Sequence, residues 1–300
     1  MKKFILFIPV LLLCNFLSAQ QLPQFTSFQL NPFLYNPAYA GVDGTTQLSA
    51  VTRNQWVGVN DAPETKILNA YGMLNNEKMA IGGTVYKDVA AADSRLTFLA
   101  TYAYHLRLKK DMNLSLGLAA GFVQYKIDNT IINPIDEGDP LFATPLSSVV
   151  PTATFGAYLY TEDYYVSFSA PQIISSAFNV KDKLEEDVLF GELTNHFYLG
   201  GGYNKVLNDK FTVQPSLLVI MSPPAPVSLE LMAKVTYDRK VWIALSYRLD
   251  DSAGLFLGYD LNDQFYIAYG HDFVTSSLST ATSGSNEFKL GFKFNKASKK

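Results

Sequence analysis

Few residues in this chain have the chemistry that a catalytic site requires. The three histidines are His105, His196 and His271, and the last two fall at predicted strand ends on one rim. Nucleophilic catalysis would need a serine beside one of them, and Ser169 and Ser276 are the candidates. The sequence contains no HExxH, GxSxG, P-loop or dinucleotide-binding fingerprint. We therefore expect unrelated rim histidines and no enzyme.

Metal chemistry has equally little support in the sequence. Asp136, Glu137 and Asp139 lie close together and could hold a hard cation weakly, or they could form a solvated loop. Cys14 is the single cysteine, which excludes a disulfide framework and a cysteine zinc site within the chain. The sequence thus predicts no metal and no cofactor.

Composition and charge narrow the class of protein. Of the 300 residues, 48% are hydrophobic and only 17% are charged, against about 25% charged residues in soluble domains. The formal net charge is -3, whereas a nucleic-acid-binding protein needs a basic surface. We expect no nucleic-acid partner.

The first 19 residues have the pattern of a secretory leader. Lys2 and Lys3 precede an apolar run over 4–16, and small residues end at Ala19. The run is shorter than the roughly 20 residues of a membrane-spanning helix. An alternative makes Cys14 a lipid-modified acceptor, although Leu13 stands where a small residue is expected. We predict cleavage after Ala19 and a location outside the cytoplasm.

Beyond the leader, apolar and polar residues alternate with period two. Over 113–122, for example, Leu114, Leu116 and Leu118 share a face opposite Asn113 and Ser115. Strands produce this separation and helices do not. About 14 such segments occur, starting near Thr46, Glu64, Met79, Arg95, Met112, Thr152, Tyr164, Asn195, Phe211, Val227, Val241, Gly254, Phe265 and Asn286.

The connections between these segments alternate in length. Even-numbered connections are short and turn-like, whereas odd-numbered ones include the long stretches 128–151, 170–194 and 272–285. Short turns on one rim and long loops on the other are typical of an outer-membrane β-barrel. The sequence therefore predicts an all-β, transmembrane antiparallel β-barrel over 46–294, with apolar side chains facing outer-membrane lipid. A secreted β-sandwich or propeller is the alternative, but no blade-length repeat occurs.

The segment 20–45 lacks alternation and precedes the first strand. Its two Asn-Pro pairs predict turns, because proline restrains φ and biases the preceding residue away from helix. It forms either a looped lead-in or a plug inside the barrel. The plug would be packed by the aromatic residues Phe25, Phe28, Phe33, Tyr35 and Tyr39. A basic tail over 295–300 ends the chain.

Three motifs in order give the sequence a family resemblance. The first comprises Asn31, Pro32, Asn36, Pro37, Ala38, Tyr39, Ala40 and Gly41. The second comprises Arg53, Gln55, Trp56, Gly58, Ala62 and Pro63. The third comprises Gly284, Ser285, Asn286 and Glu287. Together they resemble the PorP/SprF family, outer-membrane barrels of the type IX secretion and gliding machinery of the Bacteroidota; the family usually has histidine where this chain has Asn286.

The resemblance implies an outer-membrane protein that helps export or anchor surface proteins carrying a C-terminal sorting domain. It also implies contacts with periplasmic components of the machinery. Long outer loops would meet cargo, and the short turns and the tail would meet periplasmic partners. A closed 14-stranded barrel is too narrow for a folded protein, so we expect an accessory or anchor.

Structural roles also account for the motif residues. Arg53 would pair in the lumen with a carboxylate such as Glu64 or Asp260, since an intramembrane charge is costly without a partner. Trp56 would lie at the lipid interface. The alternative function is a channel for small or hydrophobic solutes, because the strand number and the Asn-Pro-Ala segment also resemble long-chain fatty-acid transporters.

Overall fold

A computed structural model describes residues 28–74, 77–128, 146–174, 177–180, 188–193, 195–223 and 225–296. They form a closed barrel of 14 antiparallel strands, as predicted. The barrel strands are β1 (Thr45–Asn54), β2 (Glu64–Met73), β3 (Met79–Ala90), β4 (Asp93–Lys109), β5 (Met112–Ile127), β6 (Leu146–Tyr160), β7 (Tyr164–Ala170), β10 (Phe197–Tyr203) with its continuation β11 (Lys205–Val206), β12 (Phe211–Met221), β13 (Ser228–Tyr237), β14 (Val241–Arg248), β15 (Ser252–Asp260), β16 (Phe265–Val274) and β17 (Ser285–Lys296).

The first and last strands close the barrel. β1 pairs with β17 from Thr45↔Lys296 to Asn54↔Asn286, and every other barrel strand pairs with its neighbours in chain order. Closure satisfies the backbone groups that an open sheet edge would leave bare in lipid. A separate hairpin, β8 (Ala177–Val180) and β9 (Val188–Glu192), lies in the connection between β7 and β10. Within the described ranges, no helix is long and apolar enough to cross a membrane.

The two faces of the wall follow the predicted alternation. On β5, Leu116, Leu118 and Phe122 are exposed on the outer wall, whereas Ser115 and Ala119 are buried toward the lumen. Large apolar side chains therefore face lipid, which confirms the predicted membrane barrel.

The predicted strand starts agree with the structure to within two residues, apart from the start of β6. β6 begins at Leu146, six residues before the predicted Thr152, because the ladder with β5 continues through Lys126↔Ser147 and Ile127↔Leu146. On the rim that carries the long loops, the connection between β3 and β4 is short, because β3 ends at Ala90 and β4 begins at Asp93.

Asx turns explain several short connections. The Oδ1 atom of Asn208 accepts hydrogen bonds from the backbone N–H groups of Lys210 and Phe211. Asn262 does the same for Gln264 and Phe265. A side-chain acceptor of this kind fixes a tight reversal without helix or sheet. These turns define the short-turn rim, which faces the periplasm in barrels of this type.

Residues 28–44 lie inside the barrel rather than outside it. They contain a four-residue helix, α1 (Pro32–Tyr35), and a 3₁₀ turn over Pro37–Tyr39. Phe28 and Leu30 pack on Leu218, Met232, Ala244, Phe256 and Ala268 of one wall, and Phe33 packs on Tyr71, Ala80 and Ala103 of another. We call residues 28–44 the plug segment.

Several predictions fall outside the described residues. They concern the leader 1–19 with Cys14, the aromatic Phe25, the acidic group Asp136, Glu137 and Asp139, and the tail beyond Lys296.

Candidate functional site

The second Asn-Pro pair anchors the plug segment to the barrel wall. The Oδ1 atom of Asn36 accepts a hydrogen bond from Ala38 N at 2.9 Å, which caps the 3₁₀ turn. Its Nδ2 atom donates to Ala157 O (3.0 Å), Ser167 Oγ (2.8 Å) and Phe168 O (3.1 Å) on β6 and β7. One buried amide thus holds both the local turn and its position on the wall.

Two wall glycines provide the space for this turn. A Cβ atom on Gly117 would lie 2.3 Å from Ala38 N, and one on Gly156 would lie 2.0 Å from Asn36 Oδ1. Both distances are far below van der Waals contact. The plug backbone therefore sits against β5 and β6 at positions where only glycine fits.

The first Asn-Pro pair contacts the opposite side of the lumen. Asn31 is buried, and its Oδ1 atom accepts a hydrogen bond from Asn69 Nδ2 at 3.0 Å. Lys289 Nζ donates to the carbonyl oxygen of Leu30, and Gln29 Nε2 donates to Ser216 Oγ. Strands β2, β12 and β17 thus all contact the beginning of the plug segment.

The plug segment leaves the lumen near the short-turn rim. His105 Nε2 donates to Ala40 O at 2.8 Å, and the Tyr160 hydroxyl lies 3.0 Å from His105 Nδ1. Gly41 then adopts φ +78°, a left-handed conformation that favours glycine. Tyr39 packs edge-on against Tyr71 and Tyr158.

Tyr35 lies at the upper end of α1 among polar wall residues. Its ring packs on Phe28 and Tyr198, and its carbonyl oxygen accepts a hydrogen bond from Ser169 Oγ at 2.5 Å. Burial raises the pKa of the Tyr35 phenol well above its usual value, and the Glu230 carboxylate raises it further. Tyr35 is therefore neutral at physiological pH.

Arg53 forms a buried ion cluster with two carboxylates. Arg53 Nη1 lies 3.3 Å from Asp272 Oδ2 and 3.8 Å from Glu287 Oε2, and all three side chains are almost fully buried. The expected partners Glu64 and Asp260 were wrong. Glu64 pairs with Lys66 on the outer wall, and Asp260 lies near the opposite rim beside Lys293.

A second ion cluster was not predicted. Arg248 contacts Glu230 Oε2 at 3.1 Å and Asp251 Oδ2 at 2.9 Å. Glu230 and Arg248 are direct partners in the β13–β14 ladder. A signal was present in the sequence, because the tight turn between these strands sets a register that places the two residues opposite each other.

The remaining motif residues meet at the long-loop rim. Gln55 N donates to Pro63 O at 2.9 Å, which closes the first outer loop. Trp56 N donates to Ser285 Oγ at 3.2 Å, and Val57 N donates to Gly284 O at 2.8 Å. Trp56 (φ +47°), Gly58 (φ +98°) and Gly284 (φ +113°) adopt left-handed conformations in these loops. The second and third motifs therefore form one loop–loop contact above the Arg53 cluster.

The structure gives the proposed Ser–His residues other partners. Ser169 Oγ donates to Tyr35 O, and His196 packs against Tyr198. His271 Nδ1 lies 2.8 Å from Asn286 Oδ1, which also accepts from the Tyr269 hydroxyl. Among the described residues, no group of three or more His, Cys, Asp or Glu side chains is arranged to hold a metal ion.

A comparison with protein families identifies the family to which the chain belongs. The family model described as type IX secretion system membrane protein PorP/SprF matches residues 17–292. The chain belongs to the PorP/SprF family. Membership and the barrel together place the protein in the outer membrane as a type IX secretion component. The PorP/SprF motif residues thus hold the plug segment and the loop–loop contact. A comparison with curated proteins gives no match.

Solved structures resemble this PorP/SprF barrel in fold. A FadL homologue from Pseudomonas aeruginosa has a TM-score of 0.54 at 12% identity, covering 93% of this chain and 96% of that one. The CymD monoaromatic hydrocarbon channel has a TM-score of 0.51 at 11% identity, covering 90% and 94%. The Ralstonia pickettii toluene transporter TbuX has a TM-score of 0.51 at 10% identity, covering 87% and 92%. At such identities the likeness establishes the fold alone.

Proposed function

We propose that this barrel is an accessory of the type IX machinery that helps export or anchor surface proteins carrying a C-terminal sorting domain. The observation that carries the proposal is the plugged lumen of a PorP/SprF protein. Residues 28–44 are held by hydrogen bonds to β2, β4, β6, β7, β12 and β17, so the barrel serves as a fixed platform.

The lumen is poorly suited to the passage of cargo. Small cavities of about 60, 110 and 290 Å³ border the plug segment. Pockets that hold drug-sized ligands measure roughly 300–1,000 Å³, and a folded domain is far larger. We therefore assign cargo contacts to the outer surface of the barrel and not to its interior.

The long-loop rim offers the cargo surface. The first and last outer loops are joined through Val57, which accepts hydrogen bonds at its carbonyl oxygen from Thr282 Oγ1 and Ser283 N. Leu278 presents an exposed apolar side chain on the 3₁₀ turn Ser277–Thr280 of the same surface. Braced loops of this kind present a defined binding surface on a rigid scaffold.

The short-turn rim would face periplasmic components of the machinery. It contains the Asx turns at Asn208 and Asn262 and the charged turn Asp238, Arg239 and Lys240. A barrel that contacts cargo at the long-loop rim and the machinery at the short-turn rim meets the requirement of an anchor.

The experiment compares surface and culture-medium proteomes of cells with and without the gene, with a complemented strain as control. Loss of one or a few large surface proteins supports a dedicated export or anchoring partner. Broad loss of secreted proteins makes it a general component. An unchanged proteome, in a strain lacking paralogues, contradicts both versions.

The competing function is an outer-membrane channel for small or hydrophobic solutes. The fold shared with hydrocarbon channels motivates it, whereas the plug segment and the small cavities oppose it. Purified barrel in liposomes should give no aromatic-hydrocarbon uptake above empty liposomes. Saturable uptake would move the assignment to solute transport.

A further inference from the structure

A basic cavity lies beneath the plug segment at the short-turn rim. It has a volume of about 290 Å³, and four cationic side chains line it: Lys234, Arg239, Lys289 and Lys293. Arg239 belongs to the β13–β14 turn, and Lys293 lies near the end of β17, so the cavity faces the periplasm. We call it the basic vestibule.

Positive charge exceeds negative charge around the vestibule. Lys293 Nζ contacts Asp260 at 3.3 Å, and Asp43 lies at the same rim, where it accepts hydrogen bonds from Thr45 and Tyr71. Together with Glu287, which also faces Lys289, four cations face three carboxylates. Excess charge in a partly enclosed lumen is costly unless an anion balances it.

The cations differ in how far they are already satisfied. Lys289 Nζ donates to the carbonyl oxygen of Leu30 and thereby holds the plug segment. Within the part of the chain that the structure describes, neither Lys234 nor Arg239 forms a salt bridge. Lys234 Nζ lies 5.9 Å from the centroid of the Trp242 ring. These two cations remain available to a ligand.

The rest of the vestibule wall is mixed, because the polar side chains of Gln29, Gln47 and Thr236 line it together with an apolar patch. This apolar patch comprises Leu30, Met232, Trp242, Ala244 and Ala268. Bare phosphate would gain nothing from the apolar patch, whereas an anion attached to an apolar group would bury that group there. The volume excludes a helix, whose diameter is roughly 10–12 Å, but it admits one or two extended residues.

We propose that the basic vestibule binds an organic carboxylate on an extended peptide segment of a periplasmic protein. The carboxylate lies between Lys234 and Arg239, and the neighbouring apolar side chain contacts Trp242. The site is formed by the lumen alone, so its binding of the carboxylate does not depend on which cargo the barrel serves.

The chain supplies its own reporter for a direct test. It has two tryptophans, Trp56 in an outer loop and Trp242 in the vestibule wall. The purified Trp56→Phe barrel is titrated with acetyl-Leu-Asp-Leu-amide, its asparagine counterpart and inorganic phosphate while Trp242 emission is recorded. Calorimetry on the unsubstituted barrel repeats the titration should Trp56→Phe fold poorly.

We expect saturable binding of the aspartate peptide alone. Lys234→Gln and Arg239→Gln should each weaken it by at least about tenfold, because each removes a charged hydrogen-bond donor. Lys66→Gln, on the lipid-facing wall, should leave binding unchanged. Equal binding of the asparagine peptide, phosphate binding as tight as peptide binding, or no saturable signal by either method would overturn the proposal. The proteome comparison is independent of this result.

Discussion

Arg53 and Glu287 are direct partners across the β1–β17 ladder, and their side chains meet in the lumen at 3.8 Å. They lie near opposite ends of the chain, so this contact forms only when the first and last strands close the barrel. Asp272 on β16 completes the cluster. The closing seam is thus held by buried charge as well as by backbone hydrogen bonds.

Arg53→Leu should destabilise the barrel strongly, because it removes the cation that the buried carboxylates Asp272 and Glu287 both contact. Removing one member of a buried pair costs about 3–5 kcal/mol. Reversible urea unfolding in detergent measures the loss. Glu64→Gln is the control, since its pair with Lys66 is exposed on the outer wall and should contribute less than about 1 kcal/mol. Equal small losses would show that the cluster contributes nothing.

Asn36→Ala should loosen the plug segment, because one amide makes four hydrogen bonds to Ala38, Ala157, Ser167 and Phe168. A buried donor or acceptor left unsatisfied costs roughly 1–3 kcal/mol. Protease protection of the plug region in folded barrels provides the measurement. Asn208→Ala, in a short-turn rim Asx turn, is the control and should leave the plug protected. A plug equally protected in both variants would contradict the anchoring role of Asn36.

The two-residue alternation of apolar and polar side chains made the wall predictable, but it left the contacts inside the lumen unpredictable. Because lipid surrounds the barrel and the lumen is polar, the alternation assigns each residue to the outer or the inner face. The strands β2, β3, β5 and β14 start at the predicted residues. The partners of Arg53 depend on the β1–β17 and β16–β17 registers, which no local pattern sets. Glu64 and Asp260 were reasonable by residue type but lie outside the lumen cluster.

The plug segment shows the same limit. Its turns followed from the Asn-Pro pairs, but their location inside the barrel depends on distant positions such as Gly117 and Gly156. In the sequence these glycines resemble ordinary small residues of alternating strands. Only the assembled wall shows that the backbone of Ala38 and the side chain of Asn36 fill the space that side chains at these two glycine positions would need.

Gly117→Val should therefore displace the plug segment without unfolding the wall, because the new side chain would overlap the backbone at Ala38. A cysteine placed at buried Ala40 reports displacement by its rate of thiol labelling, which should rise at least about tenfold for a shift of 1.4 kcal/mol. Gly200→Ala is the control, since its Cβ would lie 3.4 Å from the nearest atom. Unchanged labelling in Gly117→Val would contradict the close packing of plug and wall.

The exposed 3₁₀ turn of the last outer loop should be required for cargo and not for the barrel. Replacing Leu278 and its neighbours over 277–280 by Gly-Ser residues removes the exposed apolar turn of the last outer loop, while β16 and β17 keep their ladder. Cells with this variant should lose the surface proteins that the gene deletion removes, yet show the barrel at normal abundance and heat stability. The matched control replaces the turn 161–163 on the opposite rim, which should leave surface proteins unchanged. If the outer-loop variant retains its surface proteins while the opposite-rim variant loses them, the cargo surface lies on the periplasmic side. In that case the basic vestibule, at the same rim, becomes its nearest binding site.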